Sequence, residues 1–134
     1  MQRLKTRAQF QATMAGGVIS RTAHFALHRL ALEQPTGQEP SVLALFGVPG
    51  PWLGAVVPKR WARRAVTRNA IKRQVHAVSA ALDLPPMAFV VRLSSAFDRK
   101  QFVSACSEPL KQAVRAELQQ LFAHALRRLQ AVQA

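Results

Sequence analysis

The residues of this chain best suited to chemistry are cations. Lys59, Arg60, Arg63, Arg64, Arg68, Lys72 and Arg73 all lie between Pro58 and Val78, seven of the nineteen Lys and Arg in the sequence. No Asp or Glu occurs between Glu39 and Asp83, so nothing in that stretch compensates them. Like charges one turn apart destabilise an isolated helix by about 0.2–0.5 kcal/mol per pair. A face that served only solvation would mix Glu among the cations. Planar guanidinium forks match phosphate oxygens, which fits the excess of Arg over Lys here. The pattern points to binding of a polyphosphate; a plain solvated basic face is the alternative.

A helix must position these groups. The stretch has no Gly and its only Pro is the first residue, so it reads as helix from Ala62 onward. Ile71, Val75, Val78 and Leu82 fall on one apolar seam. Arg64, Arg68, Lys72 and His76 fall on a basic row beside it, and Asn69 and Arg73 widen the polar face.

The same residues resemble a known signature. Lys59-Arg60, then Arg63-Arg64-Ala65, then Arg68-Asn69-Ala70-Ile71-Lys72-Arg73 is similar to the basic helix of the bacterial ribonuclease P protein component. That family carries a Lys/Arg pair, a short spacer and then Arg-Asn-Arg-x-Lys-Arg. In this chain the second Arg of the triplet is Ala70, a further Arg usual one turn later is His76, and the Glu that often follows is Ala77. The resemblance therefore implies one RNA contact missing and another weakened or made pH-dependent.

Composition agrees with a polyanionic partner. The 134 residues suit one domain with a modest core, and the net charge of +13 favours nucleic acid over membrane. The basic start MQRLKTRAQF has no apolar run behind it, and no apolar run reaches the ~20 residues of a membrane span. Cys106 is alone, which excludes an internal disulfide and makes the cytoplasm the expected compartment.

Along the chain, Thr6-Arg7-Ala8-Gln9 reads as a capping box, followed by a short helix that bears Phe10 and Met14 and ends at Gly16-Gly17. Ser20–Thr22 is a short strand or turn and Ala23–Leu32 a longer strand; Phe25 and Leu27 alternate with His24, Ala26 and His28. Residues 33–50 form a loop region rich in Pro and Gly, within which Val42–Phe46 can continue the sheet. Trp52–Val57 and Met87–Leu93 are strands flanking the basic helix, a βαβ unit with parallel strands. Asp98–Gln101 reads as a second capping box with a short helix to about Ala105. Residues 107–134 form a final helix with Leu110, Val114, Leu118, Leu121, Ala125, Leu129 and Val132 on one stripe.

No constellation suits protein catalysis. The six acids, Glu33, Glu39, Asp83, Asp98, Glu108 and Glu117, are scattered, with no pair spaced for acid–base or two-metal work. His24 and His28 share one side of a strand, but no third ligand lies near them in sequence.

The resemblance supplies the rest of the expectation. It implies an α+β fold, a single-domain α/β sandwich of the ribonuclease P protein and ribosomal protein S5 domain 2-like type, with a left-handed βαβ crossover. It implies one RNA-binding domain over residues 1–134, acting as the accessory subunit of a ribozyme endoribonuclease. The catalytic RNA subunit, with Mg²⁺, removes the 5′ leader of precursor tRNA, and the protein itself carries no catalytic residues. Lys59, Arg60, Arg63, Arg64, Arg68, Asn69, Lys72, Arg73 and His76 are then the RNA-binding set. Leu4-Lys5 followed by Phe10 is similar to the family's opening, which makes Phe10, Met14, Ala26 and His28 candidates for a leader cleft. On composition alone Phe10 and Met14 read first as core, and His28 reads equally as an ordinary surface histidine. The expected partners are the RNA subunit and precursor tRNA, with no membrane and no obligate protein partner. A ribosomal protein or RNA chaperone is the competing class.

Overall fold

Period-two alternation in the apolar runs builds one sheet with two unlike faces. The computed structural model describes residues 2–31, 46, 51–97 and 108–133. In chain order they form β1 (Gln2–Arg3), α1 (Arg7–Ala15), β2 (Val18–Arg21), β3 (Phe25–Ala31), β4 (Trp52–Val56), α2 (Ala65–Ala80), β5 (Met87–Leu93) and α3 (Glu108–Gln133). The sheet is five-stranded in the order β1-β4-β5-β3-β2. β4 pairs with β5 in parallel, as a βαβ unit requires, and β5 pairs with β3 antiparallel.

Register sorts the side chains. Phe25, Leu27, Leu53, Phe89, Val91 and Leu93 point to one face, where α2 and α3 cover them in the main core. The apolar seam of α2 enters this core through Ile71, Val75 and Val78, with Leu82 packed beside them just past the helix end. The stripe of α3 enters through Leu110, Val114, Leu118, Leu121, Ala125 and Leu129. Burial of this order, about 1.5–3 kcal/mol per large side chain, gives the two helices their hold on the sheet.

The second face carries Ala26, His28, Leu30, Trp52, Gly54, Val56, Ala88, Val90 and Arg92. A smaller cluster of Leu4, Phe46, Trp52, Ala88 and Val90 lies here, with Phe10 and Met14 of α1 packed against it. The Thr6 and Gln9 capping box closes the start of α1: Gln9 N–H donates to Thr6 Oγ1 at 3.2 Å and Thr6 N–H donates to Gln9 Oε1 at 3.2 Å. Gly17 ends the turn after α1 with φ 102, a left-handed conformation that favours glycine.

Several boundaries differ from expectation. The basic helix begins at Ala65, because the chain first makes a turn in which the N–H groups of Trp61 and Ala62 both donate to Pro58 O at 3.1 Å. Of the short strand or turn expected at Ser20–Thr22 the structure has the strand, which starts earlier, at Val18, and ends at Arg21. The two-residue β1 is unexpected; it pairs with β4 in parallel. Phe46 is helical, not extended, and sets its ring edge-on to Trp52 at 5.5 Å. The rest of the Val42–Phe46 segment, the capping box at Asp98–Gln101 and Cys106 lie outside the described residues.

Candidate RNA interface

The basic face sits on α2 and on the turn before it. Lys59, Arg60, Arg63, Arg64, Asn69, Lys72 and Arg73 are all exposed. Among the described residues no carboxylate pairs with any of them; the ion pairs found there are His24–Glu117 and Lys111–Glu108. No side chain caps the N-terminus of α2 and no acid stands in its first turn. The positive end of the helix dipole therefore adds to the Arg63 and Arg64 charges instead of being neutralised. Amides and guanidinium groups together form a surface suited to phosphate oxygens.

Two cations are held in place by local contacts. Arg68 is half-buried, and its Nη1 donates to Ala62 O at 3.0 Å and to Arg63 O at 2.7 Å. It ties the preceding turn to the helix while keeping its charge beside Arg64. The Arg60 guanidinium lies 5.2 Å from the Trp61 ring centre, a cation–π contact that limits its rotamers. Trp61 Nε1 has no acceptor among the described residues.

The row does not continue in charge to its last member. His76 is half-buried, and burial, then the nearby Arg3, lowers its pKa from the ordinary 6.5. At neutral pH the cationic part of the row ends at Lys72, and Arg3 of β1 joins the face from the sheet edge. Ala70 is buried, so the position where the family signature carries Arg points here toward the protein.

The second sheet face forms the other candidate surface. Phe10 crosses directly above Gly54: a Cβ added there would lie 2.4 Å from Phe10 Cε1 and 2.8 Å from Leu4 Cδ1. The bare backbone of Gly54 lets α1 approach the sheet closely. Phe10 and Met14 are both half-buried, so each belongs partly to the small core and partly to the surface. Ala26 is fully buried and offers no surface.

His28 is not a surface histidine. It is buried, with Nδ1 3.2 Å from Met14 O and Nε2 3.3 Å from Arg92 Nε. Met14 O can only accept and Arg92 Nε can only donate, so the ring is the neutral Nδ1–H tautomer. Burial, then the charges of Arg92 and Arg21, lowers its pKa, while its hydrogen bond to Met14 O acts in the other direction. His28 thus links the end of α1 to Arg92. Arg92 was not anticipated, although its alternation with Phe89, Val91 and Leu93 places it on the α1 side. His24 does not share that side: it precedes β3, stacks on Phe97 at 4.0 Å, and places Nδ1 2.7 Å from Glu117 of α3.

Among the described residues no group of three or more His, Cys, Asp or Glu could hold a metal ion. Among them, too, no helix is long and apolar enough to cross a membrane.

An exposed basic helix crossing between parallel strands, with α1 across the opposite face of the sheet, makes an α+β protein with a surface suited to a polyanion. The model of the family described as Ribonuclease P matches residues 1–130, and the chain belongs to that family. It is 33% identical over 123 residues to the ribonuclease P protein component of Bordetella petrii, covering 90% of this chain and 89% of that one. To the same component of Burkholderia mallei it is 32% identical over 109 residues, 80% of this chain and 69% of that one. The fold is shared with the RNase P protein of Staphylococcus aureus, at a TM-score of 0.59 and 18% identity over 95% of this chain and 94% of that one. A mutant of that protein with defective mRNA degradation activity matches with a TM-score of 0.61 at 17% identity, over 96% and 88% of the chains.

Proposed function

We propose that this chain is the protein subunit of ribonuclease P, binding the catalytic RNA subunit through the α2 face and the 5′ leader of precursor tRNA across the α1 side of the sheet. The observation that carries this is the cluster of exposed cations at Lys59–Arg64 and Lys72–Arg73, unpaired with any described carboxylate, in a chain of the ribonuclease P family. Neutralising phosphates lets two polyanions approach one another. Phe10, Met14 and Arg92 supply an apolar and a cationic contact for a single strand, which aligns the scissile bond by holding one end of the substrate. His28 holds Arg92 in place rather than touching the strand itself.

The hydrolysis is assigned to the RNA subunit and its Mg²⁺. In this reading the role of the protein is to bind and orient the two RNAs. The cytoplasm, where precursor tRNA is matured, is the compartment this function requires. A ribosomal protein or RNA chaperone shares the charge, but the family match favours the ribonuclease P subunit.

Recovery of the protein from cells under mild conditions, with sequencing of the bound RNA, tests the reading. One dominant structured RNA together with tRNA precursors is the expected outcome. Ribosomal RNA as the main species would assign the chain to the competing class.

A further inference from the structure

A second basic surface lies at the sheet edge opposite α2. Val18, Ser20 and Arg21 of β2 and His124, Arg127 and Arg128 of α3 line an open groove of about 720 Å³. β2 is an edge strand, and Arg128 Nη1 donates to its Ile19 O at 3.1 Å. That bond satisfies an edge carbonyl and fixes one guanidinium along the groove, while blunting the edge against strand addition. Ser20 Oγ donates to Leu121 O at 2.9 Å and sets the width between strand and helix. Arg21 and Arg127 are exposed and pair with no described carboxylate. The fold uses neither charge, and three guanidinium groups around one groove repel one another unless an anion lies among them.

Val18 and Arg21 bring the groove to the edge of the α1 side, since they pair in register with His28 and Ala26 of that face. The Arg21 charge is felt at His28 beneath α1. A strand leaving the space between α1 and the sheet in the direction of β2 meets Arg21 first, then Arg127 and Arg128. The α2 face stands at the other edge, where His76 feels Arg3 of β1. We propose that the β2–α3 groove binds the sugar–phosphate backbone of the distal, 5′-terminal part of the tRNA leader, beyond the nucleotides held under α1. This rests on the leader reading given under Proposed function.

The test is the affinity of the holoenzyme, protein with its RNA subunit, for precursor tRNAs with short and long leaders. The Arg21→Ala/Arg127→Ala double variant leaves the Arg128 anchor intact and should keep its melting temperature. Its affinity for long-leader precursor should fall on the order of five- to tenfold, and its log–log salt slope should become shallower by about 1.4, two single-strand phosphates at about 0.7 each. Short-leader precursor, mature tRNA and the RNA subunit should bind as before. Equal losses for short and long leaders, or a loss of affinity for the RNA subunit, would overturn the assignment in favour of the RNA subunit as occupant. An unchanged long-leader affinity, while wild type still gains from leader length, would overturn this inference alone. A wild-type affinity independent of leader length would overturn the leader reading itself, and this inference with it.

Discussion

Arg68 and Lys72 lie one turn apart on the same row, yet their side chains have different tasks. Arg68 donates to two carbonyls of the preceding turn, whereas Lys72 is exposed. Hydrogen bonds from charged groups contribute about 1.5–3 kcal/mol when shielded, and half-burial with one exposed contact places Arg68 below that range. Arg68→Ala should therefore lower stability by about 1 kcal/mol and also weaken RNA binding. Lys72→Ala should weaken RNA binding with no change in melting temperature. Thermal melts run beside RNA titrations separate the two, and equal melting temperatures for both variants would show that the Arg68 contacts carry no stability.

The histidines His28 and His76 belong to the same scale. His28 and His76 both have pKa values lowered from 6.5, His28 by burial and then by Arg92 and Arg21, His76 by burial and then by Arg3. The unfolded chain therefore binds these protons more readily than the folded one. The stability that the neutral rings contribute is whole above about pH 6.5 and is lost as the pH falls through the lowered folded values. Melting temperature should fall from neutral pH toward pH 5. His28→Gln, whose amide can donate to Met14 O and accept from Arg92, should flatten that fall; a variant as acid-sensitive as wild type would remove His28 from the account.

At the scale of elements, the contact between α1 and β4 is the most sensitive. A methyl group at Gly54 meets the Phe10 ring, so Gly54→Ala should cost about 1–3 kcal/mol as overpacking and shift α1 outward. Phe10→Ala should cost about 2–3 kcal/mol, below the 3–5 of a fully buried Phe because the ring is half-exposed. Beyond that loss it should weaken long-leader precursor more than mature tRNA. A drop in melting temperature with no dependence on leader length would make Phe10 a core residue alone.

Much of this layer was legible in the sequence. Met87–Leu93 follows from a short, nearly continuous apolar run after Pro85-Pro86, the α3 stripe from helical spacing, and the Thr6–Gln9 capping box from four adjacent residues. What was not legible depends on contacts distant in sequence or on too few residues to show a period. β1 has two residues, and its partner strand lies about fifty residues away. The late start of α2 depends on the Pro58 turn and on where the Arg68 guanidinium goes. The burial of His28 depends on α1 closing over the sheet, and the second groove joins Arg21 to Arg128 through the end of a helix.

At the scale of the whole molecule, two clusters of cations stand at opposite edges of one sheet. α2 presents its cations near β1 and β4, and the β2–α3 groove presents Arg21, Arg127 and Arg128 at the other edge. The α1 side of the sheet lies between them. About five phosphate contacts by α2 and its preceding turn predict a log–log salt slope of roughly −3 to −5 for the RNA subunit. A slope near −1 would assign the affinity to stacking or shape instead.

The measurement that tests the central claim most directly is cleavage of precursor tRNA by the cognate RNA subunit at limiting Mg²⁺, with and without this protein. The protein alone should cleave nothing. Added to the RNA subunit it should restore cleavage at Mg²⁺ concentrations where the RNA alone is inactive, and Lys72→Ala/Arg73→Ala should require more protein to do so. Cleavage by the protein alone that is lost on changing a single carboxylate, or no effect of the protein on the Mg²⁺ requirement, would contradict the account.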